Sequence, residues 1–287
     1  MERSLVLTYF YHSGCTVRSN DTLLVFDYWR GQSDQLKFFG LTTDELKKYK
    51  QVIVFVSHDH PDHLDEVIYQ WDKPGVDITY VISWDLPSRM RGKRMHVGDR
   101  IQIGDAVITA YDSTDKGVSF YVEIDGCRIF HAGDLNLWHW REENSLHEIT
   151  QAEKSFYAKM KDVEKLNIDL AMFPVDPRMG GFFDAGANYF IMSVKPRLFI
   201  PIHWFDRKEA AKEFARKART RYTEVIALTE PRDALKVQFE DDSIIWRVLP
   251  KEGAKSSSDD VLDKFKAEDP FVDSDLPIRL DPEKETK

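Results

Sequence analysis

The sequence predicts an α/β (α+β) fold of the αββα type, a four-layer sandwich in which two β-sheets pack face to face and helices cover both outer faces. Strand-like segments with hairpin signals dominate the first half of the chain, and strands alternate with helices in the second half. With 287 residues, 42% of them hydrophobic, the chain can bury a large core. This order of elements fits two packed sheets better than one doubly wound parallel sheet.

Apolar periodicity marks the individual elements. The predicted strands are LVLTYF, TLLVFDYW, QVIVFVS, DITYVIS, RIQIGDAVITAY, GVSFYVEIDGCRIFHA, DLAMFPV, RLFIPI, EVIAL, ALKVQF and SIIWRVL, with a tight hairpin at Asp125 and Gly126. The predicted helices are TTDELKKYK, LDEVIYQW, a long segment over about 141–166, DAGANYFIMSV and DRKEAAKEFARKAR. Thr42 and Glu45 form a capping box at the first of these helices, and Asp206 is the expected N-cap of the last.

Charge and composition narrow the class of protein. The net charge of −9 argues against a nucleic-acid partner, because an acidic surface repels a polyanion. No segment approaches the roughly twenty apolar residues of a membrane span, and the N-terminus does not resemble a secretory signal, so a cytoplasmic location is expected. Cys15 and Cys127 are expected to be reduced, buried thiols. Homo-oligomerisation is left open.

The composition changes near residue 250. Residues 1–250 are predicted to form one domain, and residues 251–287 are predicted to be an acidic tail that is extended or partly ordered. Within this tail, VLDKF is the only helix-like turn.

The segment SHDHPDH, residues 57–63, carries a concentration of metal-ligand side chains directly after the apolar strand QVIVFV. His58 and His60, two positions apart, can direct their imidazoles toward one point, while Asp62 and His63 project toward a second point nearby. Imidazole and carboxylate ligands suit zinc, manganese or iron. The alternative is a solvated polar turn, but so many ionisable groups between a buried strand and a helix start favour a centre of one or two metal ions.

This segment resembles the HxHxDH signature of the metallo-β-lactamase superfamily, and the resemblance extends over about residues 5–249. Asp27 in VFDYW resembles the aspartate that orients the metal-binding loop, Asp134 in HAGDLN the bridging aspartate, and His203 in IPIHW the final histidine ligand. The resemblance implies the αββα fold and hydrolysis by water at one or two divalent metal ions, with zinc first and manganese or iron as alternatives. YHSG, FHAGDLN and IPIH look most like the branch that contains ascorbate-6-phosphate lactonase and N-acyl-phosphatidylethanolamine phospholipase D.

One position departs from the superfamily pattern. The usual third histidine of the first metal site is missing from AYDSTDKGVSF. Asp115, Asp112 or Ser113 could supply an oxygen ligand instead, which would favour a harder metal than zinc. Asp115 is preferred because it stands just before Gly117, where the chain enters the next strand. The alternative is that its carboxylate caps local backbone amides.

Further residues near these motifs are candidates for supporting roles. Asp62 and His131 are the candidate catalytic residues, Asp62 as proton acceptor and His131 as a ligand or, preferably, as a group that holds Asp134 and its loop in place. His12 is expected to face the site or to be a buried, hydrogen-bonded histidine. The candidate substrate-binding residues are Trp138, His139, Trp140, Arg178 and Trp204. Loop anchoring by the tryptophans, and neutralisation of Asp176 by Arg178, are the competing explanations.

The sequence therefore predicts a metal-dependent hydrolase domain that acts on a small ester, lactone, amide or phosphoester. Two other classes remain open: a metal-binding sensor or scaffold without catalysis, and a di-iron redox protein of the same fold. The redox alternative lacks a flavin-binding domain in this sequence.

Overall fold

Two β-sheets face each other across the core in this computed structural model, which describes residues 3–140, residues 142–250 and the strand Asp263–Lys266. Strands are numbered in chain order. The larger sheet has the order β16 (Asp263–Lys266), β15 (Ser243–Leu249), β14 (Ala234–Phe239), β1 (Ser4–Tyr11), β2 (Gly14–Ser19), β3 (Thr22–Phe26), β4 (Gln51–Val56), β5 (Ile78–Ser83), β6 (Lys93–Met95). The second sheet has the order β13 (Glu224–Val225), β12 (Leu198–Ile202), β11 (Leu170–Pro174), β10 (Cys127–His131), β9 (Val118–Ile124), β8 (Ala106–Asp112), β7 (Arg100–Ile103).

Helices cover the outer faces of both sheets. They are α1 (Asp34–Phe38), α2 (Thr43–Leu46), α3 (Leu146–Val163), α4 (Ala185–Val194) and α5 (Lys208–Ala218), with 3₁₀ turns at Glu66–Gln70 and Pro177–Phe182. The second sheet packs against the three longer helices through residues such as Phe130, Phe156 and Phe190. The larger sheet is covered by short elements that contribute Leu46 and Trp71. The predicted αββα arrangement is confirmed.

The core between the sheets follows from the apolar runs of the central strands. β4 is buried along nearly its whole length because it lies between the parallel strands β3 and β5 and has side chains on both covered faces. On its inner face Phe55 stacks on Phe26 at 4.6 Å between ring centroids and meets Phe120 of the second sheet. Cys15 and Cys127 are buried free thiols, as predicted.

Several local predictions are confirmed and others are wrong. The capping box of Thr42 and Glu45 is present, but α2 ends at Leu46, and LDEVIYQW forms a 3₁₀ turn that begins after Asp65. Asp206 does not cap α5, because its carboxylate accepts a hydrogen bond from the Tyr11 hydroxyl at 2.9 Å.

The tail prediction falls mainly on residues 251–262 and 267–287, which lie outside the described residues. Within the tail, the helix-like turn predicted at VLDKF is wrong for the described part, because Asp263–Lys266 pairs antiparallel with the edge strand β15. The division of the chain near residue 250 stays a prediction.

The fold brings several strand ends to one edge of the sandwich. In the larger sheet β1, β3 and β4 run in the same direction, and in the second sheet β8, β10, β11 and β12 do. Each of these strands is followed directly by one of the polar motifs of the sequence. Carboxyl ends of parallel strands are a common location for functional groups, because the loops that follow them meet in one place.

Candidate metal centre

Two groups of four ligand side chains converge at this edge, and a smaller group of Asp27, His58 and His63 overlaps them. The first consists of His58, His60, Asp115 and Asp134, and the second of His12, Asp62, His63 and His203. Within each group, one ligand atom from every member lies within 4.8 Å of the others. The two points expected from SHDHPDH are therefore present, with His58 and His60 in one group and Asp62 and His63 in the other.

Asp134 joins the two groups through its two oxygens. Its Oδ1 lies 3.1 Å from His63 Nε2 and 3.2 Å from His203 Nε2, while its Oδ2 lies 3.4 Å from His58 Nε2. Burial opposes the charged form, but His63 and His203 hold the pKa of Asp134 well below its usual range. The carboxylate is therefore anionic and faces both groups.

Carboxylates behind the histidines set the direction of their rings. Asp27 Oδ2 lies 2.7 Å from His63 Nδ1, and Asp176 Oδ2 lies 3.1 Å from His203 Nδ1. A hydrogen bond from Nδ1 leaves the lone pair of Nε2 directed at Asp134, which is the arrangement of metal-ligating histidines.

Asp27 also holds the loop that carries the histidines. Its Oδ1 accepts a hydrogen bond from the Ser57 backbone N–H at 2.8 Å, and its Oδ2 accepts one from the Ser57 hydroxyl at 2.6 Å. Burial raises the pKa of Asp27, but His131 and His63 outweigh this effect and lower it to about 2. Asp27 thus lies where its predicted orienting role requires.

The polar atoms between the two groups fit a divalent metal ion. In the described part of the chain, His63 Nε2, His203 Nε2 and Asp134 Oδ1 are buried without a hydrogen-bond partner. Such atoms are costly unless something binds them. Asp134 Oδ1 lies 3.1 Å from His63 Nε2 and 3.2 Å from His203 Nε2. Two ligand atoms bound to one tetrahedral zinc ion, with bonds of about 2.0 Å, lie about 3.3 Å apart, so these distances fit a shared ion.

Asp115 lies beside His60 in the first ligand group. Its Oδ2 is 3.4 Å from His60 Nδ1. Asp112 points elsewhere, since its carboxylate binds Lys159 at 2.5 Å and the Ser113 backbone N–H at 2.9 Å. Among the three candidates, Asp115 is the one in the ligand group.

A close backbone contact brings the Asp115 loop to the histidine loop. Gly117 has φ of +70°, and a Cβ at this position would lie 2.0 Å from the Ser57 carbonyl oxygen. The same carbonyl accepts a hydrogen bond from the Val118 N–H at 2.9 Å. Glycine is required here by both the left-handed conformation and the close approach.

A cleft of about 620 Å³ opens above the ligand groups. Its lining includes His60, Asp62 and Asp115 at the floor and Trp138, Trp140 and Arg178 at the wall. Another cleft, of about 700 Å³, lies against α3 and contains none of the residues in the ligand groups. The smaller cleft is the one that exposes the ligand groups to a substrate.

The wall of this cleft combines aromatic rings with a cation. Trp138 and Trp140 stack at 6.1 Å between centroids with 7° between planes. The Arg178 guanidinium lies 4.4 Å from the centre of the Phe205 ring and binds Asp176 through Nε at 3.0 Å and Nη2 at 2.5 Å. Arg178 therefore pairs with Asp176, as expected if it neutralises that carboxylate. It also lines the cleft, as expected of a substrate-binding residue.

Two predicted substrate-binding residues, His139 and Trp204, lie away from the cleft lining. His139 contacts Glu153 at 3.2 Å and the Phe182 ring at 4.6 Å. Trp204 is 3% exposed and stacks on Tyr9, because the residue after His203 turns toward the core. These positions correct the expectation that both side chains contact substrate.

His131 is buried behind the site and belongs to neither ligand group. Its Nε2 lies 3.0 Å from the Ser13 carbonyl oxygen, and its Nδ1 accepts a hydrogen bond from the Gly133 N–H. His131 therefore lies where its preferred role, holding the loop before Asp134, would place it, and its listing as a candidate catalytic residue stays a prediction.

Sequence reasoning missed the role of Asp176 beside His203 and the position of Phe205, whose ring centroid lies 3.9 Å from that of His12. Asp176 follows the strand β11, so the general pattern of a polar residue at a strand end was the available signal. Phe205 carried no signal, since it is one aromatic residue among many.

The fold defines the class of protein. The chain has the metallo-β-lactamase fold: its structure is similar to YhfI of Bacillus subtilis, a metallo-β-lactamase fold protein, with a TM-score of 0.53 and 13% identity over 82% of this chain and 99% of that one. It is also similar to Igni18, a metallo hydrolase from the archaeon Ignicoccus hospitalis, with a TM-score of 0.60 and 20% identity over 83% of this chain and 100% of that one. No family model matches the chain.

Curated relatives agree with this class. The chain is similar to a UPF0173 metal-dependent hydrolase of Staphylothermus marinus, 27% identical over 56% of this chain and 65% of that protein. It is also similar to one of Pyrobaculum islandicum, 22% identical over 80% of this chain and 99% of that protein. The aligned region thus spans a little less than two thirds of the first relative. The chain thus shares the metallo-β-lactamase fold, and both of these relatives are named metal-dependent hydrolases. None of the described helices is long and apolar enough to cross a membrane.

Proposed function

We propose that this metal-dependent hydrolase cleaves a small ester, lactone, amide or phosphoester with a water molecule activated at a centre of one or two divalent ions. The observation that carries the proposal is the convergence of buried ligand atoms without hydrogen-bond partners from His63, His203 and Asp134, of which His203 and Asp134 line an open cleft. A purely structural polar cluster would satisfy these atoms internally.

The proposed ligands are His58, His60, Asp115 and Asp134 at one position. At the other they are Asp62, His63 and His203, together with Oδ1 of Asp134. This donor set suits zinc, with manganese or iron as alternatives. A bound divalent ion lowers the pKa of its water toward about 7 and polarises the carbonyl or phosphoryl oxygen of the substrate.

The side chains of this protein perform the remaining tasks. Asp62 lies at the cleft with its side chain 25% exposed and accepts the proton of the attacking water when one position is filled. When both are filled, its carboxylate serves as a ligand instead. Asp27 and Asp176 keep the protons of His63 and His203 on Nδ1.

The cleft wall supports a small substrate with an apolar body and one anionic group. Trp138 and Trp140 offer a stacked aromatic surface, and the Arg178 guanidinium, whose side chain is 45% exposed, can bind an anion next to it. The net charge of −9 disfavours DNA or RNA as the substrate.

A panel of lactones, nitrophenyl esters and bis-nitrophenyl phosphate, assayed with zinc and with manganese, tests the proposal. We expect turnover of at least one small substrate, with little cleavage of RNA or β-lactams. Loss of turnover in His60→Ala would exclude a contaminating activity. No turnover of any substrate by the metal-loaded protein would favour a scaffold or sensor, and preferential cleavage of RNA would refute the assigned substrate class.

Arg178→Ala tests the anion site. Because Arg178 also holds Asp176, its loss can disturb the metal centre, so the informative quantity is the comparison of two substrates on the same variant. We expect KM to rise more for an anionic substrate than for a neutral one. Arg89→Ala, which removes an exposed partner of Glu66, is the matched control. It should leave KM unchanged for both the anionic and the neutral substrate.

A further inference from the structure

His12 belongs to the second ligand group although it lies outside the HxHxDH segment and outside the segments that carry Asp134 and His203. It follows β1, and its side chain is fully buried. Its Nε2 lies 3.2 Å from Asp62 Oδ2, and its ring centroid lies 4.0 Å from that of His203 and 5.5 Å from that of His63. The imidazole therefore faces the second ligand group directly.

The backbone fixes His12 in this position. The residue has φ of +56°, and its N–H donates a hydrogen bond to the Tyr9 hydroxyl at 2.8 Å. Its carbonyl accepts a hydrogen bond from the His203 N–H at 3.2 Å. A histidine in the left-handed region is uncommon, and the two hydrogen bonds hold it next to a proposed metal ligand.

The ring of His12 lacks the hydrogen bonds that a structural histidine would make. Among the described residues, neither Nδ1 nor Nε2 makes a geometrically defined hydrogen bond, although Nε2 lies 3.2 Å from Asp62 Oδ2. A buried imidazole with two unpaired nitrogens is costly. Contacts of similar length, also without a defined hydrogen bond, join His63 and His203 to Asp134.

We propose that His12 is itself a metal ligand and that it makes the second position the nitrogen-rich one. That position would then hold three imidazoles, from His12, His63 and His203, together with Asp62 and one oxygen of Asp134. The first position holds only two imidazoles and two carboxylates. This inference rests on the proposed metal-dependent function. It adds the order in which the two positions bind metal ions.

The two positions differ in metal preference and in exposure. Three imidazoles favour zinc, while a site richer in oxygen accepts manganese or iron more readily. The imidazole ligands of the second position are at most 2% exposed, whereas the side chains of His60 and Asp115 are 33% and 37% exposed. Zinc should fill the second position first and leave it last.

X-ray absorption of the wild-type protein loaded with one equivalent of zinc tests the inference without any variant. We expect three imidazole ligands on the first zinc ion. Two imidazoles would refute the proposal that His12, His63 and His203 together bind the first zinc ion, whatever the catalytic activity.

Two substitutions separate ligation from a hydrogen bond to Asp62. His12→Gln places an amide near the former Nε2 and can still donate to Asp62, whereas His12→Asn is shorter and tolerates positive φ. If His12 is a ligand, both variants lose affinity for the first zinc equivalent by more than about 100-fold, since even residues that only orient a ligand contribute about 10–100-fold. Unchanged zinc affinity in His12→Gln would contradict ligation. His147→Gln, in α3 and away from both ligand groups, is the control.

Turnover measured on the same samples separates the two proposals. Three imidazoles on zinc without hydrolysis of any substrate would refute the proposed function and leave the role of His12 standing. Hydrolysis with two imidazoles on zinc would refute the role of His12 alone.

Discussion

Asp27→Asn would change one oxygen of a fully buried carboxylate to an amide, and the contacts of Asp27 determine which one. Oδ1 must remain an acceptor, because the Ser57 backbone N–H donates to it. The amide nitrogen must therefore replace Oδ2, which faces His63 Nδ1 at 2.7 Å. Since an amide N–H donates, His63 Nδ1 would have to accept, and the ring proton would move to Nε2.

This tautomer change acts on the metal centre. A proton on Nε2 removes the lone pair that faces Asp134 at 3.1 Å, so His63 could no longer bind a metal ion without first changing tautomer. Loss of a group that orients a metal ligand typically weakens metal binding about 10–100-fold, which corresponds to about 1.4–2.8 kcal/mol. Loss of the charged hydrogen bonds should also lower the free energy of unfolding by about 1.5–3 kcal/mol.

Competition with a chromophoric chelator measures the metal affinity, and chemical denaturation with a chelator present measures the stability. Asp169→Asn is a matched control, because Asp169 is equally buried and binds Arg3 and Arg128 at the opposite end of the strands. We expect the control to lose stability but to keep its metal affinity. Wild-type affinity in Asp27→Asn would refute the argument that Asp27 sets the tautomer of His63.

Two further predictions follow from the fold. Gly117→Ala should lower the free energy of unfolding by about 2–4 kcal/mol and reduce metal content, because its Cβ would lie 2.0 Å from the Ser57 carbonyl oxygen. Gly98→Ala is the control, because Gly98 also has positive φ but has open space around an added Cβ, and it should lower the free energy of unfolding less. Equal losses of stability in the two variants would show that the close contact of Gly117 with Ser57 is unimportant. Removal of residues after 253 should leave folding and metal binding intact, since β16 is an edge strand far along the sheet order from β4. A large fall in melting temperature would contradict this.

Local sequence was sufficient for elements whose partners lie close by in the chain. The apolar run of β4 and the Asp125–Gly126 hairpin depend on neighbouring residues, and both appear as predicted. Predictions failed where a residue far away in the sequence bound the side chain in question. Asp206 was expected to cap a helix, but Tyr11, from a strand nearly two hundred residues earlier, binds its carboxylate.

The sequence by itself determined the donors that share one strand end, such as His58, His60 and His63, because a short loop after a buried strand leaves their side chains few other directions. Only the tertiary structure decided between Asp112 and Asp115, placed His12 beside Asp62, and put Trp204 in the core. These outcomes depend on which strands lie next to each other and on how the two sheets are oriented relative to one another. That arrangement comes from packing over the whole molecule, so no local pattern of residues contains it.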